Sequence, residues 1–186
     1  MSGPSGVGKT TIAHRVQQAV DGVFSVSATT RACGPGEVDG QDYHFVSLEA
    51  FEAMRTDGAF LESAQVFGRD AYGTPRAPVE AEMAKGRVVL LDIDVQGAAQ
   101  VRAAMPEACM IFVLPPNEDT LRARLTRRGR EDAAAIERRL AEARTEIKAA
   151  QVPGLYDCFV VNEDLDDATR QVLETVNRHR HQAADA

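Results

Sequence analysis

The sequence has no tryptophan and only three cysteines, too few for a fold held together by disulfides. Cys33, Cys109 and Cys158 are odd in number and widely spaced, and no C-x-x-C pair occurs. This pattern indicates free thiols in a reducing compartment. No apolar run approaches the roughly 18 residues of a membrane-spanning helix, and no signal peptide is recognisable. We therefore predict a cytoplasmic protein that has no membrane partner.

An excess of basic residues is also absent, since the formal net charge is −7. Such a chain offers no electrostatic surface to nucleic acid, which we do not expect as a partner. The content of 44% apolar and 26% charged residues is that of an ordinary soluble protein. A length of 186 residues suits one domain with modest insertions, which we expect to be a monomer or a small homo-oligomer.

The most informative stretch lies at the amino end, where Gly3, Gly8, Lys9 and Thr10 fit the phosphate-binding loop pattern G-x-x-x-x-G-K-[ST]. Glycines let the backbone approach a phosphate closely, and successive N–H groups then point at the anion. The following helix adds the positive end of its dipole. The lysine supplies a cation for the β- and γ-phosphates, and the threonine hydroxyl is placed to bind Mg²⁺. The loop predicts binding of a nucleoside triphosphate.

Almost no sequence precedes this loop, although such a loop normally follows the carboxyl end of a buried strand. Only Met1 and Ser2 stand before Gly3, where about five apolar residues are expected. Our hypothesis is that Met1 is an internal residue of a longer natural chain. The alternative is a shortened protein with an unfilled position in its sheet.

Apolar periodicity predicts helices and strands that alternate along most of the chain. The helices are expected at residues 9–20, 48–58, 75–85, 95–104, 117–128, 132–150 and 165–179. The strands are expected at residues 24–27, 43–46, 60–67, 87–92, 108–114 and 158–161, with a loop at 32–40 and a turn at 68–73. Alternation of this kind predicts an α/β fold with a parallel sheet covered by helices on both faces. Residues 87–92 are the clearest buried strand.

Two aspartates follow that strand. Asp92 ends the apolar run, where a carboxylate associated with magnesium belongs in folds of this kind, although a strand-terminal aspartate also serves as a helix cap or a solvated end. Asp94 shares this region and has the alternative role of capping the next helix.

Arginine is concentrated between residues 121 and 144 of this acidic chain. Glutamates in the same segment account for most of the arginines as partners on a solvated helical face. A lid that closes over a transferring phosphoryl group also needs guanidinium groups, so we expect two or three to be functional. The arginines are Arg122, Arg124, Arg127, Arg128, Arg130, Arg138, Arg139 and Arg144.

No residue has the pattern of a general base, because the four histidines follow no catalytic spacing. An alcohol acceptor would need such a base. A phosphate monoester does not, since its second pKa is about 6 and it is largely dianionic at neutral pH. Transfer from one phosphate to another therefore suits these residues, because the acceptor needs positioning and charge neutralisation instead of deprotonation.

Five stretches together make the chain similar to guanylate kinases along nearly its whole length. They lie at residues 2–10, 25–31, 36–45, 72–74 and 91–97. The resemblance implies a P-loop nucleoside-monophosphate kinase fold that transfers the γ-phosphoryl group of ATP to GMP with Mg²⁺, in purine nucleotide metabolism. The resemblance also implies a single domain that consists of a core (residues 1–27, 86–116 and 148–186), a GMP-binding insertion (28–85) and a helical lid (117–147).

The resemblance also implies a role for each matching residue. ATP would be bound by the loop and by a residue near the adenine, namely Gly3, Pro4, Ser5, Gly6, Val7, Gly8, Lys9, Thr10, Thr11 and Asn162. GMP would be bound through its phosphate and its guanine by Ser27, Arg31, Tyr43, Glu62, Tyr72, Thr74 and Asp94. Thr10 and Asp92 would hold the metal, and catalysis would involve Lys9, Arg31, Arg128 and Arg139.

The expected role of Glu62 agrees with the chemistry of guanine. Guanine offers two parallel donors, N1–H and the 2-amino group, which one carboxylate accepts together. Adenine lacks that amino group and presents an acceptor at N1, so AMP would leave Glu62 without a partner.

The chain departs from the family pattern at Gly34, where a second arginine for the GMP phosphate is usual. Loss of one charge-assisted contact costs about 1.5–3 kcal/mol of binding, so we expect weakened GMP affinity. Arg69 is a candidate for compensation.

Two other readings remain open. One is a related kinase that acts on another phosphomonoester, which Glu62 disfavours. The other is a guanylate-kinase-like interaction module without catalysis, which the intact Gly8, Lys9 and Thr10 disfavour.

Overall fold

The computed structural model describes residues 1–66, 70–127 and 132–184. The helices are α1 Lys9–Val20, α2 Leu48–Thr56, α3 Arg76–Ala84, α4 Val95–Ala104, α5 Glu118–Arg127, α6 Ala133–Ala150 and α7 Leu165–Ala184. The strands are β1 Val23–Phe24, β2 Ala28–Thr29, β3 His44–Phe45, β4 Phe60–Val66, β5 Asp70–Pro75, β6 Val89–Leu90, β7 Ile111–Leu114 and β8 Cys158–Val161. The predicted α/β alternation is confirmed.

A parallel sheet forms the centre of the molecule. β1 pairs with β6, and β7 pairs with β8, both in parallel. Met1 and Ser2 join the two pairs, because Ser2 forms a parallel bridge with Phe112 and the Ile93 N–H donates to the Met1 carbonyl at 3.2 Å. The spatial order is therefore β1, β6, residues 1–2, β7 and β8.

Helices cover both faces of this sheet with separate apolar clusters. On one face, Ile12 and Val16 of α1 pack with Val172 of α7. On the other face, Val79 of α3 and Val101 of α4 share a cluster with residues of β7 and α6. Within the described ranges, no helix combines the length and apolarity needed to cross a membrane.

The two remaining segments have small apolar clusters of their own. β2 to β5 form a sheet in the order β3, β2, β5, β4, and Phe51 of α2 packs on it against Phe60 at 4.6 Å between ring centroids. α5 and α6 pack through Leu121, Leu125 and Leu140. The residue boundaries of an insertion and a lid stay a prediction.

The local predictions differ in outcome. α1, α4 and β8 are confirmed at both ends, and Ser47 caps α2 as expected by accepting from the Ala50 N–H at 3.1 Å. The turn predicted at 68–73 is wrong from Asp70 onward, because this stretch pairs with β4 as strand β5. Residues 67–69, including Arg69, lie outside the described residues.

Four of the predicted strands are shorter in the structure. The strand expected at 87–92 is reduced to the two residues of β6, and Met1 lies on the side opposite β1, where it forms hydrogen bonds with Leu91 and Ile93. The strands expected at 24–27, 43–46 and 108–114 are likewise shortened, to Val23–Phe24, His44–Phe45 and Ile111–Leu114. Helix α7 instead runs five residues past the predicted end, where His179 Nε2 lies 2.6 Å from the Glu107 carbonyl.

An apolar cavity of about 290 Å³ lies between β6 and β7, next to Met1. Leu91, Cys109 and Ile111 line it, together with Val172 from α7. Burial raises the pKa of the Cys109 thiol to about 11, so this side chain is a small neutral group at physiological pH. The apolar side chains that line this partly open cavity lack packing partners on that side, so filling it should add favourable contacts.

We predict that Cys109→Met raises the free energy of unfolding by about 0.5–2 kcal/mol, because the longer thioether fills part of the cavity. Urea unfolding followed by circular dichroism measures the change. Cys33→Met is the matched control, since Cys33 is exposed and does not line this cavity. Equal effects of the two substitutions would contradict a role for cavity filling.

Candidate active site

The loop between Ser2 and α1 wraps tightly because glycine stands where no other residue fits. Gly3 has φ +143°, and a Cβ there would lie 2.3 Å from the Val113 carbonyl oxygen. Gly8 has φ +101°, and its Cβ would lie 2.5 Å from the Asn162 amide nitrogen. Completely buried Val7 anchors the middle of the loop. The loop therefore brings its backbone to the amino end of α1, as the sequence pattern predicts.

Lys9, Thr10 and Asp92 converge beside this loop. The Lys9 ammonium donates to the Gly3 carbonyl at 2.6 Å and lies 3.9 Å from the Asp92 carboxylate. The Thr10 hydroxyl donates to Asp92 Oδ2 at 3.3 Å. One cation, one hydroxyl and one carboxylate thus meet where the loop, α1 and the end of β6 come together.

The arginine-rich helices reach the same loop. Arg139 of α6 donates from Nη1 to the Ser5 hydroxyl at 2.7 Å. Arg122 and Arg144 instead pair with glutamates of the two helices, as predicted for arginines on a solvated helical face. Arg128, the other expected catalytic arginine, lies outside the described residues.

A cleft of about 340 Å³ opens on the other side of the loop. Asn162 is buried there and donates to the Val7 carbonyl at 2.7 Å. Arg124 donates to the Asn162 carbonyl at 2.8 Å and to the Val7 carbonyl at 3.3 Å. Arg124 thereby ties α5 to both walls of the cleft, a role that composition did not single out from its neighbours. Gly6, Gly8 and Thr11 also line the cleft.

A buried carboxylate forms the centre of a second group of residues. Glu62 is 7% exposed and accepts from the Thr74 hydroxyl at 2.6 Å. Burial, assisted by the nearby Asp94 charge, raises the pKa of Glu62, and the Thr74 hydrogen bond opposes this increase. Asp94 itself caps α4 by accepting from the Gly97 N–H at 2.7 Å, so the alternative capping role is confirmed.

Gly97 makes room for this carboxylate. A Cβ at Gly97 would lie 2.7 Å from Glu62 Oε2, so any larger residue would displace the carboxylate or the helix. This glycine belongs to the matching stretch 91–97, which predicts no separate role for it. A contact between residues 35 positions apart cannot be predicted from a local sequence pattern. The capping contact between Asp94 and Gly97 can, because these residues have the spacing typical of a helix start.

Aromatic rings surround Arg31 at the end of β2. Its guanidinium carbon lies 5.4 Å from the Tyr43 ring centroid, and the rings of Tyr43 and Tyr72 are 5.9 Å apart. The structure thus brings together three of the residues expected at the GMP phosphate. Ser27 lies just before β2, where its carbonyl accepts from the His44 N–H at 2.9 Å.

Comparisons with known proteins agree with this geometry. A family model described as guanylate kinase matches residues 1–179. The guanylate kinase of Thermus thermophilus is 45% identical over 183 residues, 98% of this chain and 81% of that protein. The guanylate kinase of Anaeromyxobacter dehalogenans is 49% identical over 181 residues, 96% of this chain and 78% of that protein.

A solved structure gives the same result for the fold. The crystal structure of guanylate kinase from Anaplasma phagocytophilum matches with a TM-score of 0.73 and 34% sequence identity, covering 96% of this chain and 83% of that chain. The resemblance found in the motifs and the predicted fold class are both confirmed.

We predict that Glu62→Gln removes a pH-dependent loss of stability. Because the folded pKa is raised above the ordinary 4.5, the folded state holds the proton more tightly than the unfolded state. Stability therefore falls as the pH rises from about 4.5 through the raised value, and the full cost remains above it. Urea unfolding between pH 4 and 8 should show the variant gaining stability over the parent protein as the pH rises.

Glu80→Gln is the control for this prediction, because Glu80 is an exposed glutamate on α3. A stability difference between Glu62→Gln and the parent protein that does not change with pH would contradict the argument from burial.

Proposed function

This chain belongs to the guanylate kinase family of enzymes, and we propose that it transfers the γ-phosphoryl group of ATP to GMP, giving ADP and GDP. We propose dGMP as a second acceptor. The observation that carries the proposal is the buried Glu62 carboxylate, held by Thr74 and close enough to Asp94 to feel its charge. A buried carboxylate is costly, and the two parallel donors of guanine would compensate that cost.

The acceptor phosphate would meet Arg31, Tyr43 and Tyr72, which lie together just after β2, just before β3 and on β5. The phosphate of GMP is largely dianionic at neutral pH, so its oxygen attacks the γ-phosphorus without a general base. The P–O bond to the leaving ADP breaks as the new bond forms. The protein contributes position and charge, which is the main source of catalysis in phosphoryl transfer.

The residues at the loop also fit Mg²⁺. This ion prefers oxygen ligands and is usually held by one or two protein groups, with waters and substrate phosphates completing the shell. The Thr10 hydroxyl and the Asp92 carboxylate, 3.3 Å apart, supply such a pair, and we propose them as its protein contacts. No group of three or more His, Cys, Asp or Glu ligands occurs in the described part of the chain, and none is required. When bound, the ion would neutralise charge between the β- and γ-phosphates.

The remaining charges are proposed to act on ATP. Lys9 and the loop residues 3–11 would hold its phosphates, and Asn162 would lie beside the adenine in the cleft that it lines. Arg139 would reach the transferring group, since it already contacts Ser5 of the loop. We propose the same role for Arg128, and we propose that residues 117–147 act as a lid.

The test is release of ADP in a coupled assay with MgATP and each of GMP, AMP, CMP and UMP. We predict turnover with GMP and less than about a thousandth of that efficiency with AMP, because AMP lacks the two parallel donors for the Glu62 carboxylate and places the N1 acceptor against it. Glu62→Gln should lower kcat/KM for GMP about 100-fold through the loss of charge-assisted hydrogen bonds. Turnover that is equal with GMP and AMP would contradict the proposal, and no turnover with any acceptor would favour a binding module.

A second prediction concerns the position of the usual second arginine. Gly34→Arg should have a KM for GMP about tenfold lower than that of Gly34→Ala, because both substitutions place a Cβ against Glu37 and only the arginine adds a cation near Arg31. Gly34→Ala is the matched control, since it introduces the same Cβ without the charge. Equal KM values for GMP in the arginine and alanine variants would show that a second cation at this position adds nothing to GMP binding.

A further inference from the structure

The carboxylate of Glu37 turns back from the loop after β2 and binds the Arg31 guanidinium with both oxygens. Arg31 Nη2 donates to Oε1 at 2.7 Å, and Nη1 donates to Oε2 at 2.9 Å. Nη1 also donates to the Ala32 carbonyl at 2.9 Å. A paired fork of this kind is the strongest geometry for an arginine and a carboxylate.

Gly34 completes this arrangement. Its N–H donates to Glu37 Oε2 at 2.7 Å, and a Cβ at this position would lie 2.8 Å from the same oxygen. Gly34 is not in the left-handed region, so its contribution is space for the carboxylate and not backbone freedom. The residue that replaces the usual arginine is thus the one that lets Glu37 approach.

Two further observations show that the pair is well defined. The Arg31 guanidinium lies 5.4 Å from the Tyr43 ring centroid and 5.6 Å from that of Phe45, which orients its plane. The Arg31 and Gly34 hydrogen bonds lower the pKa of Glu37, so the carboxylate stays ionised at neutral pH.

The hydrogen bonds to Glu37 and Ala32 leave two N–H donors of Arg31 for other partners. An arginine has five N–H donors, and the bonds to Glu37 and Ala32 involve three of them. The Nε–H and the second Nη2–H lie side by side on another edge, in the fork geometry that fits phosphate oxygens. The Tyr72 side chain also interacts with this guanidinium.

We propose that Glu37 is a positioning residue for the known family reaction: with Gly34, it fixes the Arg31 guanidinium so that the edge that carries the Nε–H faces the GMP phosphate. The proposal rests on the proposed function of the site. A free arginine side chain has many rotamers, and restricting them before binding lowers the entropy lost when the phosphate arrives. This matters most where one arginine serves in place of two.

The test compares steady-state kinetics of Glu37→Ala and Glu37→Gln with the parent protein. We expect the KM for GMP to rise about tenfold in Glu37→Ala and less in Glu37→Gln, which keeps one acceptor oxygen. The KM for ATP and the kcat should change less than about threefold, since Glu37 touches neither ATP nor the reacting atoms. Glu174→Gln, which removes an exposed partner of Arg170 on α7, is the matched control and should change nothing.

A double-mutant cycle separates positioning from a direct effect. If Glu37 acts through Arg31, then Glu37→Ala should change kcat/KM for GMP less than about twofold once Arg31→Ala is present. A persistent tenfold effect in that background would overturn the inference. An unchanged KM for GMP in both single variants would also overturn it. A lower KM in both would do so too, because it would mean that Glu37 competes with the phosphate for Arg31.

The two proposals fail in different ways. A parent protein without GMP-dependent turnover contradicts the proposed function. A parent protein that phosphorylates GMP while the Glu37 variants retain its KM contradicts only the positioning role.

Discussion

The pairing of Ser2 with strand β7 is the interaction on which the rest of the site depends. The Ser2 N–H donates to the Ile111 carbonyl at 2.9 Å, and the Ser2 carbonyl accepts from the Val113 N–H at 2.8 Å. These two bonds seat the phosphate-binding loop on the central sheet, directly before Gly3 approaches the Val113 carbonyl. Thr10 and Asp92 then meet because the loop and the end of β6 lie on the same edge of the sheet. A loop anchored elsewhere would separate the hydroxyl from the carboxylate.

The group of residues around Glu62 includes an energetic cost. Glu62 is buried and near a second carboxylate, which is unfavourable for a charged group. Thr74 offsets part of that cost with one hydrogen bond, and Gly97 leaves the necessary space. The Glu37 carboxylate contrasts with it, because two arginine bonds and one backbone N–H stabilise its charge. The protein therefore disfavours the charged form of Glu62 and favours the charged form of Glu37.

Several features of the fold could be predicted because they depend on neighbours in the sequence. The bounds of α1 and α4 follow from apolar spacing and from residues at their ends, such as Asp94 accepting from the Gly97 N–H. The strands were harder to predict, since an apolar run shows that a segment is buried but not how far its partner extends. β6 is short for this reason, and β5 was missed because a Gly-containing stretch becomes a strand only when β4 pairs with it.

By itself, the sequence determined the family, the alternation of helices and strands, and the phosphate-binding loop, because each is encoded in residue types at short, regular spacings. Only the tertiary structure decided that Arg124 joins Val7 to Asn162, that Gly97 faces Glu62, and that Glu37 holds Arg31 beside Gly34. Most of these contacts join residues on different elements, and even the nearby Glu37 depends on how its loop turns back. Their geometry arises from packing and chain reversal, which no local pattern specifies.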